Sequence, residues 1–142
     1  MTAGNAIPLT MILQKGHALV GMEKKEYSEQ MQKTISTEEL KKRIDAGADD
    51  FVLVDTLKPQ SYEARHLPKA INIPEDAEFA QKYAATGAPK DKEVIVYCSS
   101  ETCGAHKRAA DALEAAGYTN VVRFSGGLAG WQNAGFAFET SQ

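Results

Sequence analysis

Cysteine is scarce in this sequence. Only Cys98 and Cys103 occur, five positions apart. A disulfide framework would need more cysteines, spread so that distant loops could be stapled, and is not expected. Nor is a metal: His106 is the only further soft ligand close by, and a tetrahedral zinc site wants a fourth. Long hydrophobic runs are missing too. Ile7–Met22 leans apolar but is broken by Pro8, Gln14, Lys15, Gly16 and His17, and it falls short of the roughly 20 apolar residues of a bilayer span. No basic residue precedes it and no small-residue cleavage site stands out, so it does not read as a secretory signal, and cytoplasmic residence is the expectation. Basic charge is not in excess: 16 Lys and Arg face 19 Asp and Glu, for a net charge of −3. A surface built to neutralise phosphates is therefore not indicated, and neither nucleic acid nor a membrane is an expected partner.

What is present is ordinary for one domain with one core: 142 residues, 43% hydrophobic and 25% charged. Residues 1–33 lack strong periodicity and read as an N-terminal extension, mobile or packed on the domain or a second subunit, with a marginal polar helix over Met22–Lys33. The domain proper is expected over residues 34–142. Ser36 and Glu39 form a capping box that predicts a helix running to Gly47. Phe51–Val54 and Val94–Tyr97 are continuous apolar runs of the kind buried on both faces of a sheet. Ala70–Ile73 and Val121–Phe124 read as shorter strands. Helices are predicted over Glu75–Ala85, over Ala105–Ala116 and, briefly, around Trp131. Buried strands alternating with helices imply crossovers and a largely parallel α/β sheet. Ligands of such sheets bind beyond the carboxyl ends of the strands, where Asp55 and Cys98 both fall.

The segment VIVYCSSETCGA, Val94–Ala105, runs from strand through tight loop to helix start. Backbone N–H groups of such a loop, with those of the helix N-terminus, converge on whatever ends the strand and favour a thiolate or persulfide there. Ser99, Ser100 and Thr102 add hydroxyls. Cys98 is accordingly the candidate nucleophile, against the plainer reading of a cysteine that merely ends a strand.

FVLVDTLKPQSYEARHLPKAINIP (Phe51–Pro74), VIVYC (Val94–Cys98) and RFSGGLAGWQNAGF (Arg123–Phe136) together resemble the rhodanese family in order and spacing. The resemblance extends over about three quarters of the chain, Thr34 to Phe138. It implies an α/β fold with a five-stranded parallel sheet and helices on both faces, and sulfur transfer through a Cys98 persulfide without cofactor. The active loop would be Ser99, Ser100, Glu101, Thr102, Cys103 and Gly104. Asp55 and His66 would support it, and Trp131 would pack in the core. A sulfane sulfur donor, small or protein-bound, and a thiol acceptor would be the partners, and the oligomeric state is left open.

Departures from the family pattern bear on the substrate. The family often has Arg where Leu57, Ser99 and Cys103 stand here, and Glu101 is acidic; the loop looks more like a variant with four residues between its two cysteines. Losing three guanidiniums weakens the case for a free dianion such as thiosulfate, since Arg is the natural bidentate oxyanion ligand. Arg65, Lys107 and Arg108 are the cations that could replace them. Two other functions stay open: a catalytically silent module of this type used for binding or regulation, and a cysteine phosphatase or arsenate reductase of related fold. Phosphatases close the loop with Arg where Gly104 stands here. Three residues have two readings each. Asp55 either orients the loop or ends a strand. His106 either tunes the thiolate or lies at the surface. Cys103 is either a resolving thiol for Cys98 or a small apolar residue in the helix–sheet interface.

Overall fold

The structure, a computed structural model, describes residues 32–141. In chain order its elements are β1 (Lys33–Thr34), α1 (Thr37–Asp45), β2 (Phe51–Asp55), α2 (Pro59–Ala64), β3 (Ile71–Asn72), α3 (Phe79–Ala84), β4 (Glu93–Tyr97), α4 (Ala105–Ala115), β5 (Val121–Arg123) and α5 (Gly127–Asn133). The two apolar runs form the middle of the sheet: β2 and β4 pair in parallel from Phe51↔Glu93 to Asp55↔Tyr97. The order is β1-β5-β4-β2-β3, with every neighbouring pair parallel.

Alternation along the strands sorts side chains into two layers. On one face Leu53, Ile95, Tyr97 and Val122 pack with Leu40 of α1 and Leu128 and Trp131 of α5. On the other Val54, Val94, Val96 and Val121 pack with Phe79 and Tyr83 of α3 and Ala109, Ala110 and Leu113 of α4. Helices therefore cover both faces, as a sheet of buried parallel strands requires. Val94, Ile95 and Val96 are wholly buried, each contributing roughly 1.5–3 kcal/mol of transfer free energy.

Several expectations are corrected. The fifth strand, β1, and the helix α2 were not marked in the sequence. The helix expected over Glu75–Ala85 forms only at Phe79–Ala84, because the Asp76 carboxylate takes the Glu78 N–H at 2.8 Å and turns the chain first. The strand Ala70–Ile73 shortens to Ile71–Asn72. α1 starts as expected, with Ser36 Oγ accepting the Glu39 N–H at 3.1 Å. The marginal helix over Met22–Lys33 lies outside the described residues except at its end, where Lys33 opens β1 instead. Among the described residues no helix is long and apolar enough to cross a membrane.

Candidate active site

Because all strands are parallel, their carboxyl ends share one edge. In β4, Val94 and Val96 face α4 while Ile95 and Tyr97 face the opposite layer. Cys98 follows in that alternation and turns towards α4, where it is fully buried. The chain then makes a turn, the Cys103 N–H donating to the Ser100 carbonyl at 3.1 Å, and enters α4 at Ala105. Gly104 is the N-cap and no side-chain oxygen caps the helix. Two of the N–H groups left orphaned at its start act on sulfur. The His106 N–H, with that of Ser100 from the loop, bears on the Cys98 sulfur, and the Ala105 N–H, with the N–H and hydroxyl of Ser99, on the Cys103 sulfur.

The carbonyls of the same loop are held from outside. Leu128 N–H donates to Cys98 O at 3.0 Å and Ala129 N–H to Ser99 O at 2.9 Å, so the first turn of α5 is satisfied by the active loop. The approach is possible because residue 127 is glycine, with φ +61° and no Cβ to strike Cys98 O. Its neighbour Gly126 has φ −63°, ordinary helical backbone.

The two thiols are directly engaged with one another. Burial first, and the Cys103 thiol second, push the Cys98 pKa up to about 12, against the lowering pull of the His106 and Ser100 N–H groups. Burial also works against a Cys103 thiolate. There, however, the hydrogen bond from Cys98 and those from Ala105 and Ser99 outweigh it and hold Cys103 below the usual thiol range. Ionisation of either thiol opposes that of the other, with Cys98 pushed up and Cys103 held down. Cys103 is half-buried and takes no part in either core cluster. It faces Cys98, not the helix–sheet interface.

A third group completes the cluster. His106 is 3% exposed, and its Nδ1 lies 3.1 Å from Cys98 Sγ, which is also 3.4 Å from the Cys103 carbonyl oxygen. Burial first, then the positive charge of Arg123, holds the imidazole below its ordinary pKa. Of the two readings left open for His106, the structure takes the one at the thiol.

Asp55 is buried at the end of β2. Its carboxylate accepts the Leu57 N–H and the Tyr97 hydroxyl, each at 2.8 Å, and the Tyr97 oxygen accepts the Leu67 N–H at 3.0 Å. Burial raises its pKa despite these bonds. Asp55 thus ends its strand and also fixes the residue immediately before Cys98. His66 stacks on Tyr62 and its Nδ1 pairs with the Tyr62 carbonyl at 2.7 Å. Trp131 is fully buried.

The cations nominated from the sequence are mostly occupied elsewhere. Arg65 donates to Gln132 Oε1 at 2.5 Å and lies over the Phe138 ring; among the described residues no hydrogen bond or ion pair joins it to the active loop. Lys107 pairs with Asp111. Arg108 bonds Glu75 through Nε at 3.1 Å while its Nη1 folds over Gly104. Glu101 and Thr102 are exposed at the loop tip, and the Ser100 and Thr102 hydroxyls are 3.1 Å apart. Arg123 was missed. It ends β5 on the same face as Val121, its charge acts on His106, and its Nε is buried without a hydrogen-bond partner. The alternation of β5 was the signal that would have found it.

A strand-ending cysteine in a loop of converging N–H groups agrees with the comparisons to known proteins. The chain is 28% identical over 113 residues to thiosulfate:glutathione sulfurtransferase of Saccharomyces cerevisiae, an alignment covering 70% of this chain and 78% of that one. It is 31% identical over 102 residues to a sulfurtransferase of Allochromatium vinosum, covering 71% and 89%. Its fold is similar to that of thiosulfate sulfurtransferase from Pseudomonas aeruginosa, with a TM-score of 0.68 at 26% identity over 81% of this chain and 21% of that one. The model of the rhodanese-like domain matches residues 36–134. That match spans most of the chain and takes in strands β2 to β5, the active loop and α5: the chain belongs to the rhodanese-like domain family.

Proposed function

We propose that the protein is a sulfurtransferase that carries sulfane sulfur on Cys98. The observation that carries this reading is the Cys98 sulfur, buried at the end of β4 and faced by the N–H groups of Ser100 and His106. In the first half-reaction the Cys98 sulfur attacks the outer sulfur of a donor, the donor's S–S bond breaks, and its electron pair leaves with the donor. The Cys98 persulfide that results is held by the same N–H groups. A thiol acceptor then attacks the outer sulfur and Cys98 leaves as thiolate. Intact-mass measurement after incubation with donors tests the scheme: a gain of one sulfur, removable by cyanide, is expected. Should no donor load the protein while Cys98 still reacts with alkylating agents, the chain is a silent binding module.

The donor is a persulfide of low charge. Leu57, Ser99 and Cys103 stand where guanidiniums would meet a dianion, Glu101 adds negative charge at the tip, and Arg65 and Arg108 are engaged with Gln132 and Glu75. With bidentate oxyanion contacts missing, kcat/KM for thiosulfate should fall roughly tenfold or more below that for glutathione persulfide. Steady-state comparison of the two donors decides, and efficient use of thiosulfate with a low KM would show that Arg123 or Arg108 meets the dianion. A phosphotyrosine-like substrate should give no turnover dependent on Cys98.

Cys103 serves as a resolving thiol. Its thiolate attacks the inner sulfur of the Cys98 persulfide, hydrosulfide leaves, and a Cys98–Cys103 disulfide remains for an external thiol to reduce. The direct engagement of the two thiols supports this. Peptide mapping after mild oxidation should recover the crosslinked loop, and Cys103→Ser should over-oxidise at Cys98 under peroxide. Equal peroxide resistance in the variant would remove the role.

A further inference from the structure

The first turn of α4 brings a titratable ring against the Cys98 sulfur. We infer that His106 is the acid–base partner of Cys98: its Nδ1, 3.1 Å from Cys98 Sγ and sealed from solvent in the first turn of α4, takes the thiol proton as sulfur attacks and returns it to the departing thiolate. The inference rests on the sulfur-transfer reading for its chemical context, but the contact itself does not.

Burial, the largest influence on Cys98, keeps its proton on. A thiol attacks sulfane sulfur poorly; the nucleophile must be made at the moment of reaction. With its proton on Nε2, the His106 ring presents a lone pair at Nδ1 to the Cys98 S–H. For a donor RS–SH, the Cys98–sulfur bond forms, the RS–S bond breaks with its electrons on RS⁻, and the proton passes from Sγ to Nδ1 and on to RS⁻. The products are RSH and the Cys98 persulfide, and His106 ends neutral. In the return half-reaction the leaving Cys98 recovers a proton by the same route.

The surroundings of His106 suit this work. Arg123 from β5 and Lys107 from its own helix both disfavour the imidazolium, the Cys103 backbone carbonyl and Glu101 of the loop favour it, and the Cys98 sulfur lies against the ring. Burial, the largest influence, and then Arg123 favour the neutral imidazole, the form that accepts a proton. Cys103 is the other group within reach of the Cys98 proton, so the experiment removes it.

The test is iodoacetamide labelling of Cys98 across pH in the Cys103→Ser protein, with and without His106→Asn. Asparagine keeps a hydrogen-bonding atom near the Nδ1 position but not its basicity. Labelling at neutral pH should fall about 100-fold in the His106→Asn protein, the scale of a lost general base. Its rate should then climb about tenfold per pH unit as free thiolate accumulates. The parent should show a plateau that declines only in acid. An unchanged rate and profile in His106→Asn overturns the inference. Nitrogen NMR of the wild-type imidazole gives a second reading without any variant. Blocking Cys98 should shift the His106 titration, and an unmoved titration overturns the inference as well. Labelling needs no sulfur donor, so a protein that labels as expected yet never gains sulfur refutes the sulfur-transfer reading and leaves the Cys98–His106 pair standing.

Discussion

Cys98→Ser is expected to abolish sulfur loading and transfer to cyanide altogether while leaving the domain folded. A serine hydroxyl in this place has no thiolate to offer, and no neighbour strong enough to make an alkoxide that would attack sulfane sulfur. The fold should tolerate the change because the hydroxyl inherits the partners of the thiol: His106 Nδ1, the Cys103 carbonyl and the surrounding loop N–H groups. A stability change within about 1 kcal/mol is expected, read by thermal melting beside the mass measurement. Cys103→Ser should still load sulfur. If the Cys98→Ser protein gains sulfur at Cys103, the two residues have been given each other's roles.

Gly127→Ala should be the most damaging glycine-to-alanine change among the described residues. A Cβ there would stand 2.3 Å from Cys98 O, 2.9 Å from Ser99 C and 3.0 Å from Ser100 N, all of them backbone. The residue also sits at φ +61°, which costs an L side chain about 1–2 kcal/mol before any clash. The loop can relieve the overlap only by withdrawing, which breaks the bonds from Leu128 and Ala129 to its carbonyls. A loss on the order of 3 kcal/mol and roughly 10 °C in melting temperature is expected, with sulfur loading abolished in whatever remains folded. Gly126→Ala is the control. Its Cβ would meet the Phe124 ring at 3.2 Å on ordinary helical backbone, so it should be mild. Equal damage from the two substitutions would mean that helix packing, not the contact with the loop, is at stake.

The middle of the sheet was legible because β2 and β4 are buried on both faces and write that burial as unbroken apolar runs. β1 was not, since Lys33 and Thr34 contribute backbone pairing to β5 while both side chains are exposed. α2 buries no side chain, so it left no periodic trace. Cys98 could be read from its place at the end of β4. The contact with His106 could not, because the phase of α4 relative to the thiol depends on how the six intervening loop residues turn. Arg65 was nominated for its charge, but charge does not say which way a side chain leaves the chain. The bond to Gln132 is a tertiary fact. Arg123 was hidden by the same habit, having been read as part of a motif instead of as one position in an alternating strand.

Among the described residues the active loop is fastened to the fold at its two ends: the carbonyls of Cys98 and Ser99 accept from α5, and the Gly104 carbonyl accepts the Arg108 N–H of α4. Between these anchors, Ser100 to Thr102 make hydrogen bonds only within the loop or towards Cys98. Such a loop can lengthen, shorten or exchange its residues without disturbing the sheet beneath. Selection can therefore revise what the site accepts at little cost to folding, and an engineer who wishes to change the donor should work on the tip and leave both anchors alone.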